Sequence, residues 1–187
     1  METQRKGSSR ANALKRELEL RVEVSSTAPA EAVYDVLADI RSHITWAGER
    51  QKKNTRLLTL DAPEGPASVG TEFATTGADP MGRFSDRSVV TEATRPTTFE
   101  FVTEAHLETK RGKVADWTNV HRYTLAPTPT GCRITDTTRI VRISALPGML
   151  ALFNVRPLSR LVRVAASGVA RRGAANLARS AEERAGV

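Results

Sequence analysis

The sequence predicts an α+β domain with an antiparallel sheet of about seven strands, two short helices after the first strand, and one long C-terminal helix. Apolar and polar residues alternate in short segments from residue 18 to 143, and the period becomes helical after Ser144. Turn-forming residues separate the short segments, which favours antiparallel hairpins. The 187 residues are enough for one domain with a sizeable core.

The N-terminal part predicts a strand followed by two helices. In Leu18–Val24 every second residue is apolar and the residues between are charged, as expected for a strand with one buried face. Apolar residues then recur at helical spacing between Ala32 and Ile40. They predict a helix over 29–38 and a second helix over about 39–47.

The middle of the chain predicts six more strands in a meander. They are expected at Lys53–Leu60, Val69–Thr76, Arg83–Ala93, Thr98–Leu107, Asp116–Leu125 and Cys132–Ile143. Turns rich in proline or glycine, at 61–66 and 127–131, end two of these segments. The charged segment Glu108–Ala115 predicts a mobile link between two of the strands.

The C-terminal segment predicts the long helix. One helical face carries the apolar residues Leu158, Leu161, Val162, Ala165 and Val169. Another face carries the arginines Arg156, Arg160, Arg163 and Arg171. We expect the apolar face to cover the sheet and the arginine face to lie in solvent. Small residues between 167 and 175 make the helix slim, which leaves room for a ligand or allows close packing on the sheet.

Composition and charge restrict the partners. The formal net charge of +7 favours weak contact with an anionic membrane or an acidic carrier protein. Aromatic residues make up 5% of the chain, too few to favour a stacking platform, so we expect no specific nucleic-acid partner. The polar N-terminus lacks an apolar signal segment. We therefore expect a basic flexible arm over 1–16, a single domain over 17–187 and a cytoplasmic location.

The reactive residue types exclude several chemistries. Cys132 is the only cysteine, which excludes an intramolecular disulfide and a cysteine-rich zinc site. The three histidines do not have metal-ligand spacing, and the sequence has neither a glycine-rich phosphate loop nor a G-x-S-x-G motif. We expect no metal and no cofactor.

Several stretches of sequence carry a resemblance to a known superfamily. They are Ser26–Asp39 with Trp46, Val69–Phe73, Arg95–Pro96, Tyr123–Pro127 with Gly131 and Ile134, and Asn176–Arg179. With the order of elements, they resemble the START/Bet v 1-like (SRPBCC) superfamily and its polyketide cyclase/dehydratase-like group. The resemblance implies a helix-grip fold, in which a curved sheet wraps around the C-terminal helix and a cavity between them holds a small hydrophobic ligand. Members bind lipids, hormones or polyketides, act as cyclases, or chaperone other proteins, so the fold does not choose the function.

The candidate site comes from the last hairpin. Alternation places Trp117, Asn119, His121, Tyr123 and Leu125 on one strand face, and the apolar members of this set predict that it faces the cavity. A short turn at 127–131 is expected to bring Leu125 beside Cys132. Counting back along both strands then sets His121 opposite Asp136, within reach of a hydrogen bond.

A histidine paired with a carboxylate in an apolar cavity suits general acid/base catalysis. If the protein is an enzyme, His121 and Asp136 are the candidate catalytic residues, with Tyr123 assisting. The alternative is a buried histidine that a nearby carboxylate satisfies and that performs no chemistry. The predicted ligand-binding residues are Trp46, Phe101, Trp117, Asn119, His121, Tyr123, Thr138 and Leu161.

Three functions stay open at this point. The first is a carrier or sensor for a small hydrophobic ligand, possibly aromatic or polyketide-like, which the implied cavity favours. The second is a cofactor-free polyketide cyclase/aromatase or dehydratase that uses the histidine–aspartate pair. The third is a basic interaction module that uses the arginine face of the last helix.

Overall fold

The computed structural model describes residues 18–48, 56–78, 82–143 and 156–187. The strands are β1 (Leu18–Ser26), β2 (Arg56–Asp61), β3 (Glu72–Ala78), β4 (Gly82–Thr94), β5 (Thr98–Thr109), β6 (Val114–Thr128) and β7 (Gly131–Ile143). The α-helices are α1 (Ala30–Ala38) and α2 (Arg156–Ala185). The predicted arm over 1–16 and the apolar segment near 146–153 lie outside the described residues.

The seven strands form one antiparallel sheet in the order β1-β7-β6-β5-β4-β3-β2. Strands β2 to β7 follow one another as a meander, and β1 pairs with β7 at the far edge. The sheet curves around α2, and two short helical segments follow α1. The predicted α+β helix-grip fold, with about seven strands and a long C-terminal helix, is confirmed.

The predicted second helix is two short turns of different type. A 3₁₀ turn spans Ile40–Ser42 and a π-helical turn spans Ile44–Gly48. The reason lies in the last carbonyls of α1, which have no partner within the helix. The Ser42 hydroxyl donates to the Val36 carbonyl at 2.9 Å, and His43 Nε2 donates to the Leu37 carbonyl at 2.9 Å. These bonds fold the chain back on α1 and turn His43 into the interior.

The charged segment predicted as a link, Glu108–Ala115, is a tight hairpin that contains the ends of two strands. Strand β5 continues to Thr109 and β6 begins at Val114. The Thr109 amide donates to the Lys113 carbonyl at 2.8 Å, and Gly112 adopts a positive φ of 71° at the tip. Charged side chains at a hairpin tip stay in water, so a charged sequence does not prevent the turn.

The core lies where α1 and the C-terminal half of α2 pack on the sheet. Its buried members include Leu37 of α1, Phe99, Leu125 and Ile134 of the sheet, and Leu177, Ala178 and Ala181 of α2. The end of β1 is tied to α2 as well. The Ser26 hydroxyl and the Thr27 amide both donate to Glu182 Oε1, each at 2.9 Å.

Candidate functional site

An internal cavity of about 620 Å³ lies between the concave face of the sheet and the N-terminal half of α2. Small residues of the helix form one wall: Ala166, Val169, Ala170 and Gly173. The opposite wall comes from the inner faces of the strands and from His43 and Trp46. Because Gly173 and the alanines carry almost no side chain, the helix passes over the sheet without filling the space.

The strand pairing orders the sheet side of the cavity into rows of directly opposed residues. The first row is Phe99, Tyr123, Asp136 and Val22. The second row is Phe101, His121, Thr138 and Leu20. The third row is Ser88, Thr103, Asn119 and Ile140. The fourth row is Asp86, Ala105 and Trp117. The polar residues of the cavity are thus spread over all four rows.

The predicted pairing of His121 with Asp136 is wrong by two residues. Asp136 lies opposite Tyr123, and His121 lies opposite Thr138. The reason is that β6 runs to Thr128, which pairs with Gly131, so the hairpin turn is shorter than expected. An even shift preserves the face of every residue. For this reason His121, Tyr123 and Asp136 still line the cavity.

Thr138 connects the two groups that the sequence placed side by side. Its hydroxyl lies 3.2 Å from His121 Nδ1. It also hydrogen-bonds to the Asp136 carboxyl. If the hydroxyl donates its proton to Asp136, its lone pair accepts the Nδ1 proton of His121. The three side chains then form a chain that runs from the first row to the second.

Burial controls the charge of these groups. Desolvation, together with a smaller contribution from nearby His43, lowers the pKa of His121 to about 4, so the imidazole is neutral at pH 7. Desolvation raises the pKa of Asp136 to about 7, against the effect of the Thr138 hydrogen bond. Asp86 in the fourth row behaves like Asp136, with burial raising its pKa to about 7.

Aromatic rings form much of the cavity wall. The rings of Phe101 and His121 stack with centroids 4.9 Å apart. Phe73 meets the Phe101 ring edge-on at 5.4 Å, and Trp46 meets Tyr123 edge-on at 6.3 Å. These contacts hold the rings in fixed orientations, which gives a flat ligand a preformed surface.

His43 belongs to the same cluster and is only 5% exposed. Its ring centroid lies 4.7 Å from that of Trp46. Burial lowers the pKa of His43 to about 4, so it too is neutral at pH 7. Since Nε2 donates to the Leu37 carbonyl, Nδ1 carries the lone pair of this ring.

Four buried polar atoms of cavity-lining residues have no hydrogen-bond partner in the described protein. They are Trp46 Nε1, Asp86 Oδ1, Asn119 Oδ1 and Asp136 Oδ1. Asp136 is only 6% exposed. An unsatisfied buried polar group costs about 1–3 kcal/mol, so four of them around one cavity mark it as a polar site inside an apolar wall.

Most of the predicted site residues come together here. The cavity wall includes Trp46, Phe101, Trp117, Asn119, His121, Tyr123, Asp136 and Thr138. The side chain of Leu161 lies outside the described part of α2. Asp86, Phe73 and Phe84 were missed, although alternation along β4 places Phe84 and Asp86 on the face that carries Val90. That pattern was available in the sequence, but the charge of Asp86 argued against a buried position.

A larger cleft of about 890 Å³ lies on the convex face of the sheet. Charged side chains contribute to its wall: Asp61, Glu72, Arg87 and Glu104. We favour the internal cavity as the ligand site because its wall is mostly apolar and aromatic, as small-molecule sites usually are. On the same convex face, Thr118 and Val120 are buried.

Other site types find little support in the described residues. No three histidine, cysteine, aspartate or glutamate side chains come together there as a metal site. Of the arginines on the predicted basic face, only Arg171 has a described side chain, and it is exposed. No described helix is long and apolar enough to span a membrane.

Comparison with known proteins shows the fold but names no family and no function. No family model and no curated protein matches the chain. An uncharacterized protein from Rhizobium leguminosarum superposes with a TM-score of 0.62 at 12% identity, over 91% of this chain and 98% of its own. CV1439 from Chromobacterium violaceum superposes with a TM-score of 0.59 at 13% identity, over 88% of this chain and 96% of its own. MLL2253 from Mesorhizobium loti superposes with a TM-score of 0.57 at 17% identity, over 89% of this chain and 98% of its own. These neighbours share the antiparallel helix-grip-like fold.

Proposed function

We propose that this protein binds a small, largely apolar ligand in the internal cavity and acts as a carrier or sensor for it. The unpartnered polar atoms around an aromatic-walled cavity carry this proposal. A cavity of about 620 Å³ is in the size range of ligand sites. The Phe101 ring and the small residues of α2 both line it.

The unpartnered atoms indicate which polar groups such a ligand carries. Trp46 Nε1 is a donor only, and Asn119 Oδ1 is an acceptor only. A ligand with a carbonyl or ether oxygen satisfies the tryptophan, and one with a hydroxyl satisfies the asparagine. The supporting chemistry is therefore that of a flat molecule with a few oxygen substituents, as in an aromatic or polyketide-like compound.

A fluorescence titration with N-phenyl-1-naphthylamine, a neutral aromatic probe, tests the proposal. We expect saturable binding by the wild type. Ala170→Phe places a ring in the cavity and is expected to weaken binding at least about tenfold. Ala175→Phe is the matched control, because Ala175 lies on the same helix but is exposed, and it is expected to bind like the wild type. Absence of probe binding, or equal loss in both variants, contradicts the proposal.

A second candidate, an enzyme of the polyketide cyclase or dehydratase kind, has one observation in its favour. Burial holds the pKa of Asp136 at about 7, and Tyr123 lies directly opposite. A carboxylate of this pKa is well suited to general-base catalysis near neutral pH. In such a reaction Asp136, rather than His121, accepts a proton from the carbon beside a ketone, the C–H electron pair forms the enolate, and the Asp136 acid returns a proton.

Deuterium exchange into the α-carbon of 1-tetralone, followed by NMR in D₂O, separates the enzyme from the carrier. An enzyme accelerates exchange over buffer, and Asp136→Asn abolishes the acceleration because the amide cannot accept the proton. Asp61→Asn, at an exposed carboxylate, is the control and keeps the acceleration. Binding without acceleration leaves the carrier as the function.

A further inference from the structure

We propose that the cavity selects ligands that carry a protonated amine over ligands that carry a carboxylate, and that Asp136 is the group that binds the ammonium. This inference rests on the proposed ligand-binding function and names its ligand class. It follows from the acidic groups that line the cavity and from the absence of basic side chains in its described wall.

The described wall of the cavity contains two carboxyl groups, Asp86 and Asp136, and no lysine or arginine. Its two imidazoles, His43 and His121, stay neutral at pH 7 because burial disfavours their charged forms. A carboxylate ligand therefore meets no positive partner there and two groups of its own sign. An ionised group without a partner in an apolar cavity is strongly disfavoured.

Asp136 has the position that an ammonium needs. It is only 6% exposed, and its Oδ1 has no partner in the described protein. The terminal torsion of an aspartate is soft, so a small rotation turns either oxygen toward the cavity. A bound ammonium replaces the missing hydrogen-bond partner and compensates the buried negative charge in one contact.

Aromatic rings complete this binding site. Tyr123 lies directly opposite Asp136, and its ring contacts those of Trp46 and Phe101. A cation over such ring faces is attracted to them, and more strongly when water is excluded. Asp86 lies in the fourth row, three rows from Asp136 in the first. The β5 residues of these two rows, Phe99 and Ala105, are six positions apart, which is about 20 Å along an extended strand. We therefore assign the ammonium to Asp136 alone.

The net charge of the molecule predicts the opposite preference, for anionic ligands. A formal net charge of +7 attracts anions to the surface. Such attraction is screened over about 8 Å at physiological ionic strength, while contacts inside the cavity are screened much less. Selection for amines is thus a local property of the cavity, and net charge alone does not predict it.

Titration calorimetry with three matched naphthalene probes tests the inference. The probes are naphthalen-2-ylmethanamine, naphthalen-2-ylmethanol and 2-naphthoate, which share the ring and differ in charge. At pH 8 we expect the amine to bind about tenfold more tightly than the alcohol, and the carboxylate at least about tenfold more weakly than the alcohol. The groups that face the cavity and titrate are Asp86, Asp136, His43, His121 and Tyr123.

Variants assign the effect to one residue. Asp136→Asn keeps the shape of the side chain, and we expect it to bring amine and alcohol affinities within about threefold of each other. Asp86→Asn and the exposed Asp61→Asn are expected to keep the preference for the amine. An amine preference that survives in Asp136→Asn overturns the assignment to Asp136.

The outcomes separate this inference from the proposed function. If the alcohol binds but the carboxylate binds as tightly as the amine, the inference is wrong and the ligand-binding function stands. If none of the three probes binds, and N-phenyl-1-naphthylamine does not bind either, the proposed function itself is wrong.

Discussion

The two halves of α2 cover the same sheet in different ways. At the packed end, Leu177 and Ala178 fill the space above Phe99 and Ile134, and all four are nearly inaccessible to solvent. At the cavity end, Ala166, Val169, Ala170 and Gly173 of the helix line a cavity of about 620 Å³. One helix on one sheet thus forms both a core and a cavity.

The difference lies in the side chains rather than in the backbone. The packed end combines large apolar strand residues with Leu177 and buried alanines of the helix, and Glu182 fastens it to the end of β1. The cavity end combines small helix residues with polar strand residues such as Asn119 and Thr138. Apolar side chains pack without gaps, whereas a polar atom such as Asn119 Oδ1 needs a partner, which it lacks among the described residues. Stability and binding are therefore assigned to different ends, and substitutions can separate them.

The largest effect on stability is expected at the packed end. Leu177→Ala removes a fully buried side chain, and we expect the free energy of unfolding to fall by about 2–5 kcal/mol. Val169→Ala at the cavity end is the matched variant. Its free energy of unfolding should fall by less than about 1 kcal/mol, because Val169 borders open space. Urea denaturation measures both. Equal losses contradict the division of the helix.

The next effect comes from Asp136 and depends on pH. Its folded pKa of about 7 exceeds the ordinary aspartate value of 3.8, so the folded state retains a proton that the unfolded state releases between those values. This contribution to stability is complete below pH 4 and is lost as pH rises through 7. Asp136→Asn removes the titration. At pH 8 the variant should be more stable than the wild type by about 2–4 kcal/mol, and at pH 4 the difference should nearly vanish.

Thermal or urea unfolding at both pH values checks this prediction. Asp61→Asn, which removes an exposed carboxylate outside the cavity, is the control variant. A variant that is less stable than the wild type at pH 8 means that Asp136 has a stabilising charged partner, which contradicts the unsatisfied cavity carboxyl.

His121→Ala tests the cavity end by affinity. The substitution removes the ring that stacks on Phe101 and the bond to Thr138, so the affinity for N-phenyl-1-naphthylamine should fall by about three- to tenfold. The fold should survive because the side chain borders a cavity. His106→Ala is the matched control, since His106 is exposed on the outer face, where it pairs with Asp116 at 2.6 Å. If His121→Ala unfolds the protein, the residue is structural.

The smallest effect is expected on the outside of α2. We predict weak binding to acidic lipid vesicles at low salt, and a loss of less than about threefold in Arg171→Glu, because one exposed charge contributes little. Cosedimentation measures this binding. Binding that is unchanged at high salt contradicts an electrostatic origin, and no binding at low salt removes the predicted contact with anionic surfaces.

The sequence predicted the fold better than the site. Alternation in β6 and β7 was strong enough to assign the inner faces, because apolar residues such as Leu125 and Ile134 mark one side. Alternation has a period of two and cannot detect a shift of two residues, so the pairing of His121 with Asp136 was predicted wrongly. Asp86 was missed because carboxylates lie mostly on protein surfaces.

Nuclear Overhauser contacts between naphthalen-2-ylmethanol and the methyl groups of the protein test the central claim most directly. The account predicts contacts from the naphthalene protons to Ala166, Val169 and Ala170, together with ring protons of Phe101. Contacts to Val89 and Val102 instead place the ligand in the cleft on the convex face and contradict the account, as does binding without any contact to α2.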